Sequence, residues 1–239
     1  MRSARRREVG LAVVLSGVAG YLDAVGFIEL RGHFVSFMSG NTTDLATRVG
    51  TWHFGGAGLV AGLIGMFVLG VVVGAVAARF GDGRSTVLVT TTALLALTSA
   101  VAVVADPVTA VALGLPVAMG AMNAVFLHNG EVSIGLTYMT GTLVKAGQQF
   151  VEACTGGPRW LWLRNLSLWL ALAAGGLVGA AMHRLVGATA AAWFATAIVL
   201  VITVVTIVVR RRTGEYGVRT RRRHEITVIG GTAGSGPVS

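Results

Sequence analysis

Apolar residues in this chain gather into long, nearly uncharged runs rather than alternating or heptad patterns. Six such runs stand out, at Val9–Ile28, Gly58–Ala78, Thr86–Ala105, Val108–Leu127, Trp162–Met182 and Ala188–Val209. Each is close to the ~20 residues that an α-helix needs to cross ~30 Å of hydrocarbon. The pattern predicts an all-α membrane protein with six transmembrane helices. Two segments break the rule, Glu29–Ala57 and His128–Leu161, in which polar and apolar residues are mixed.

The runs fall into two similar halves. Gly20-Tyr21-Leu22-Asp23-Ala24-Val25 returns as Gly120-Ala121-Met122-Asn123-Ala124-Val125. Ser36-Phe37-Met38-Ser39-Gly40-Asn41-Thr42 returns as Thr137-Tyr138-Met139-Thr140-Gly141-Thr142-Leu143. Gly70 and Gly74, followed by Arg79, return as Gly175 and Gly179, followed by Arg184. Three blocks in one order, at offsets drifting only from 100 to 105, mark a duplicated unit. Repeat one runs over 9–105 and repeat two over 108–209, with Asp106-Pro107 between them. Three crossings per copy is an odd number, so the copies enter the membrane from opposite sides. The expected fold is therefore two inverted three-helix repeats, related by a pseudo-two-fold axis in the membrane plane.

Charge placement agrees with that count. The chain carries a net charge of +9, and mean hydropathy is +0.75. So basic a chain invites a nucleic-acid reading, but the cations sit at the ends of the runs. Six crossings with both termini cytoplasmic put sixteen of the nineteen basic residues inside, leaving only Arg31, Arg48 and Arg184 outside. That is the positive-inside distribution of a plasma (inner) membrane protein, and it excludes nucleic acid as the reason for the charge. Residues 1–8 then form a basic cytoplasmic N-terminus, and 210–239 a basic cytoplasmic tail whose composition predicts disorder. The arginine-rich start resembles a signal peptide, but residues 20–25 have a counterpart deep inside the chain and belong to the mature fold. Membrane lipids are the expected surroundings, and the tail arginines are placed to meet anionic headgroups.

Each mixed segment follows the first helix of its half. Residues 34–38 are apolar enough to dip into the bilayer, and Ser39, Asn41 and Thr42 offer N-cap chemistry for a helix over 41–49. Such a helix is about 14 Å long, half a bilayer, which suits a re-entrant segment. An interfacial amphipathic helix is the other reading. Lys145, Gln148, Gln149 and Glu152 form a polar stripe at helical spacing, and Asp44 and Arg48 form an i,i+4 pair. Counting these segments as full crossings would put Arg79 and Arg84 outside, against the charge pattern.

Asp23 is the acid inside a predicted span, where an unpartnered charge is costly and function is the default reading. Its counterpart Asn123 keeps hydrogen bonding and drops the charge. As a functional group Asp23 binds a proton or cation; as a structural one it ties its helix to the 39–42 backbone. Ser39, Gly40, Asn41, Thr42, Thr140, Gly141 and Thr142 complete the candidate substrate or ion site, through glycines that permit reversal and hydroxyls that satisfy freed backbone. A serine hydrolase pairing of Ser39 with His33 fails, because Ser133 or Ile134 stands where His33 should recur. No GxSxG or HExxH motif occurs, so the chain is not expected to be an enzyme. One cysteine, Cys154, excludes an intrachain disulfide, and no metal or cofactor is implied. Glycines at 58/62, 70/74 and 175/179 form small-residue faces for packing within the chain or between copies in a homo-oligomer. Pro116 is expected to kink the fourth span, and Trp160, Trp162 and Trp169 to mark a membrane interface.

At 20–27 and 34–42, and again at 120–124 and 137–142, the sequence resembles the YoaK-like family of bacterial multi-pass inner-membrane proteins, whose domain is of unknown function. The resemblance covers about 8–210. Where the family often has Gln before the second-half Asn, this chain has Met122. The resemblance implies location and topology and brings no activity. From the residues, the first expectation is a small transporter-like protein for an unknown small polar solute or ion, coupled through Asp23. The alternatives are a passive channel built on two opposed half-helices and a non-transport, lipid-interacting scaffold.

Overall fold

The computed structural model describes residues 2–128, 131–132 and 136–212. Among the described residues seven α-helices follow in order: α1 (Arg2–Glu29), α2 (Met38–Gly50), α3 (Ala57–Ala77), α4 (Arg84–Val104), α5 (Pro107–Met122), α6 (Met139–Cys154) and α7 (Leu161–Arg212). A 3-10 turn, Asn123–Phe126, extends α5 into a two-stranded hairpin of β1 (Leu127–His128) and β2 (Glu131–Val132). Among the described residues five helices are long and apolar enough to cross a membrane: α1, α3, α4, α5 with its 3-10 turn, and α7.

Local chemistry sets several ends. Asp106 caps α5, its carboxylate accepting from the Thr109 N–H at 3.0 Å, with Pro107 in the first turn where no N–H is needed. Asp82 accepts from the Ser85 N–H at 2.8 Å and hydroxyl at 2.7 Å, starting α4. The basic N-terminal residues, read from sequence as a separate segment, continue α1, since Arg, Ala and Glu are good helix formers. Pro116 stays within a continuous, buried turn of α5. The tail beyond Arg212, including Arg219 and 221–223, lies outside the described residues, as do Ser133 and Ile134.

The fifth and sixth predicted runs share α7. That helix is interrupted at Gly187, whose φ of 80° and ψ of 171° are non-helical. The two arms pack on α1 in opposite senses. Gly17 meets Gly175 and Tyr21 meets Gly179, so numbers rise together along the first arm. The Tyr21 hydroxyl donates to the Ala191 carbonyl at 3.0 Å, while the earlier Val14 lines one groove with the later Val201, so they run oppositely along the second. The chain therefore reverses at Gly187. The second arm also runs antiparallel to α4, with Thr92 and Thr203 hydroxyls 2.9 Å apart and Ser99 and Thr196 3.1 Å apart.

Glycine seams let the helices approach. A Cβ on Gly175 or Gly179 would overlap the Gly17 or Tyr21 carbonyl, and one on Gly20 the Leu172 carbonyl. The same three contacts recur between α3 and α5: Gly70 on Val117, Gly74 on Ala121 and Gly120 on Phe67. The face bearing Gly58, Gly62 and Gly65 is open instead, and a methyl added at any of the three would meet nothing within 4 Å. The core lies along α1 and α5, where Leu15, Leu22, Leu115, Met119 and Met122 are fully buried.

Candidate functional site

After Glu29 the chain turns through Arg31 and Gly32, at φ of 53° and 103°, and comes back along α1. Val35 seats on Gly26, where a side chain would collide with its methyls. The returning backbone then meets Asp23. One carboxylate oxygen accepts from the Val35 N–H at 3.1 Å and the Ser36 N–H at 2.8 Å, and the other accepts from the Ser36 hydroxyl. Asp23 lies six residues before the end of α1, so the loop reaches about 9 Å back along the helix. From there α2 leads away.

Asn41 secures the same loop. Its side chain is buried, accepting from the Phe34 N–H at 3.0 Å and donating to the Phe34 carbonyl at 2.7 Å. The N-cap expected at Ser39–Thr42 is not what forms. α2 begins earlier, at Met38, without a side-chain cap, and Asn41 faces the loop instead of the helix end. Thr42 and Thr43 donate to the carbonyls of Met38 and Ser39, one turn back, at 2.8 and 3.0 Å. Gly40 is required by crowding: a Cβ would stand 2.7 Å from the Phe37 ring.

Among the described residues the second half has a looser counterpart. Asn123 is buried, donating to the Met119 carbonyl at 3.0 Å and accepting from the Thr137 hydroxyl at 3.3 Å. Thr140 and Gly141 are exposed, and Thr142 donates to the Tyr138 carbonyl at 3.1 Å. The polar stripe on α6 is largely exposed, and Gln149 accepts from Asn165 of α7 at 2.8 Å.

The two loops meet at one cavity of about 410 Å³. Among the described residues its polar side chains are Asp23, Ser36 and Thr137; Phe27, Phe34, Phe37 and the small face of α7 at Ala173, Gly176 and Ala180 supply apolar wall. Of the residues singled out from sequence, Asp23 lines this cavity, and Asn123 stands behind Thr137. Ser39, Gly40, Asn41, Thr42, Thr140, Gly141 and Thr142 are not in its lining. Ser36 and Thr137 line it instead, a pair that sequence reasoning missed. A signal for them exists, since they open the second repeated block, but the glycines that follow are the more conspicuous residues.

Further charges flank the site at the end of α1. Glu29 and His183 approach to 2.8 Å, and Asp44 bridges Arg48 at 2.9 Å and His33 at 3.3 Å. His33 thus serves Asp44 rather than Ser39. Among the described residues no group of three His, Cys, Asp or Glu side chains is arranged to hold a metal.

The chain matches the family described as "Protein of unknown function (DUF1275)" over residues 11–205. It is 31% identical over 211 residues to a protein of Rhizobium meliloti (strain 1021) called "UPF0700 transmembrane protein RA0705", covering 87% of this chain and 91% of that one. No solved structure matches. The match spans every long apolar helix and both loops of the cavity, and the chain belongs to this membrane-protein family of unknown function, DUF1275.

Proposed function

We propose that the chain is a small transporter-like protein of the bacterial inner membrane, built as two inverted repeats of three crossings with both termini cytoplasmic. Dividing α7 at Gly187 supplies the sixth crossing, since 52 helical residues would be about 78 Å long against ~30 Å of hydrocarbon. The packing supports the inversion. Each half's first helix lies against the other half's second, through the same three glycine contacts. Shifting by 104 turns the Thr92–Thr203 pair into Thr196–Ser99, as a two-fold axis across an antiparallel helix pair requires. The loop's return to the level of Asp23 favours the re-entrant over the interfacial reading of α2.

The observation that carries the functional reading is the cavity where the two repeated blocks meet around Asp23. Its size falls in the ~300–1,000 Å³ range of small-molecule sites. Three polar groups among the described lining residues, in a largely apolar wall, suit a solute with an apolar body and one polar or cationic end, narrower than the polar solute expected from sequence. Asp23 would take the proton or cation. Flux into proteoliposomes under a pH gradient tests this: Asp23→Asn should abolish the gradient dependence, and unchanged driven flux would end the coupling role. One observation favours the scaffold alternative. Asp23 already accepts three hydrogen bonds from Val35 and Ser36, as a structural staple would. A sealed protein that passes no solute in the same assay would decide for it.

A further inference from the structure

A second, larger groove lies at the opposite end of α1. It holds about 540 Å³ between the N-terminal turns of α1 and the last turns of α7. Its walls are aliphatic: Leu11 and Val14 from α1, Val201 and Val205 from α7. Val14, Val201 and Val205 are each about half exposed, so this apolar channel opens sideways from the bundle. Its end is cationic. Arg7, Arg84 and Arg210 line it against a single carboxylate, Glu8.

Those arginines are positioned rather than loose. Arg84 donates through one terminal nitrogen to Glu8 at 2.9 Å, and its guanidinium lies 5.4 Å over the Phe126 ring. Arg210 is held from behind by Asp82 at 2.7 Å, whose side chain is buried away from the groove. From Val14 to Arg7 the wall rises about 10 Å, and from Val201 to Arg210 about 14 Å. A long apolar trough ending in a cluster of guanidiniums has the dimensions and polarity of an acyl chain below a phosphate. Guanidinium forks suit phosphate oxygens, and basic clefts between helices at the membrane face are where anionic headgroups bind.

The other half provides an internal comparison. There the start of α5 meets the end of α4, and the position of Val14 is taken by Gly114, which backs directly onto the Thr98 side chain. The first turn, Pro107-Val108-Thr109-Ala110, carries no cation. At that end the helices touch and no arginine waits. The groove with its charge is therefore a departure from the repeat. The tail is a poor alternative occupant: beyond Arg212 it carries Arg219 and three arginines at 221–223 against Glu215 and Glu225, so the rim repels it.

We propose that this groove seats one anionic phospholipid, its acyl chain along Val14, Val201 and Val205 and its phosphate between Arg7 and Arg84. The lipid would fasten the N-terminal turns of α1 to the end of α7, independently of what the Asp23 cavity carries. The test is native mass spectrometry of the full chain in detergent with equal amounts of phosphatidylglycerol and phosphatidylcholine. Phosphatidylglycerol should be retained several-fold more than phosphatidylcholine, and Arg7→Glu should abolish that preference. Val205→Trp, at an exposed wall position, should remove bound lipid of both kinds. Water-soluble glycerol phosphate should leave the retained lipid in place. Equal retention of the two lipids by the unsubstituted protein overturns the proposal, as does undiminished retention in Val205→Trp. Displacement by glycerol phosphate would make this a soluble-anion site and overturn it too.

Discussion

Asp23 and Asn123 occupy matching places in the two halves and do their work with different strength. Asp23 grips a returning backbone with three accepted hydrogen bonds, whereas among the described residues Asn123 donates to its own helix and accepts a longer bond from Thr137. Both corners rest on the same kind of foundation, since Gly20 and Gly120 stand three residues ahead and each abuts a foreign carbonyl. Packing is alike at the two corners while the chemistry differs. Such a frame tolerates that, because glycine contacts are dictated by helix spacing, and the polar residue beyond them need only find partners.

The glycine seams under the two corners are the most sensitive positions. Gly20→Leu and Gly120→Leu should be about equally damaging, each forcing a side chain into backbone and costing more than the ~1–3 kcal/mol of ordinary overpacking. Fluorescence-detected size exclusion should show loss of the monodisperse peak for both, while Gly62→Leu, on the open face, stays folded. If one seam tolerates leucine, the two interfaces are not equivalent.

Removing the corners themselves should separate them. Asp23→Ala strands the buried Val35 and Ser36 donors, at about 1–3 kcal/mol per unpaired group. Among the described residues Asn123→Ala strands fewer partners, at about 1–2 kcal/mol by the same reasoning. Thermal unfolding in detergent should therefore rank Asp23→Ala well below Asn123→Ala. Equal losses would mean that the charge at position 23 adds nothing to the staple.

Asp23→Asn sharpens the point further. One amide oxygen still accepts from both N–H groups and the amide can donate to the Ser36 hydroxyl, so stability should fall by only about 1 kcal/mol. Gradient-driven flux is where this substitution should show. A large stability loss with unchanged flux would reverse the assignment, making the carboxylate structural.

The smallest effect concerns how the two halves begin. Asp106 is exposed, and the Thr109 backbone N–H, with its hydroxyl, holds the carboxyl below its ordinary value of 3.8. A depressed folded value means that the ionised cap stabilises α5 above the ordinary carboxylate range, and that this contribution is lost as pH falls through the folded value. Melting temperature followed downward in pH should show a shallow acid limb, flattened in Asp106→Asn.

Much of this architecture is readable without coordinates. The apolar runs forecast every long helix, because a backbone surrounded by hydrocarbon has no partners except its own. The repeated glycines predicted close packing, and the Asp44–Arg48 pair forms as i,i+4 spacing requires. Asp23 is conspicuous as a charge in an apolar helix. Ser36 and Thr137 are not, because an isolated hydroxyl carries little cost and little signal until a fold brings it to a cavity. The start of α2 is misjudged from sequence for a related reason: Asn41 has good cap chemistry, yet the Phe34 backbone competes for the same side chain and wins.

Sequence alone determined that this is a helical membrane protein, that three similar blocks occur twice in one order, and where its charges lie relative to the apolar runs. Those properties depend on transfer free energies and local periodicity, which add up along the chain. Tertiary structure decided which glycine meets which carbonyl, that Asp23 holds the returning loop at Val35 and Ser36, and that one end of α1 opens into a cationic groove while the matching end of α5 is closed. Such outcomes depend on contacts between residues far apart in the chain, many of them a hundred or more positions away, and only the packed bundle sets those distances.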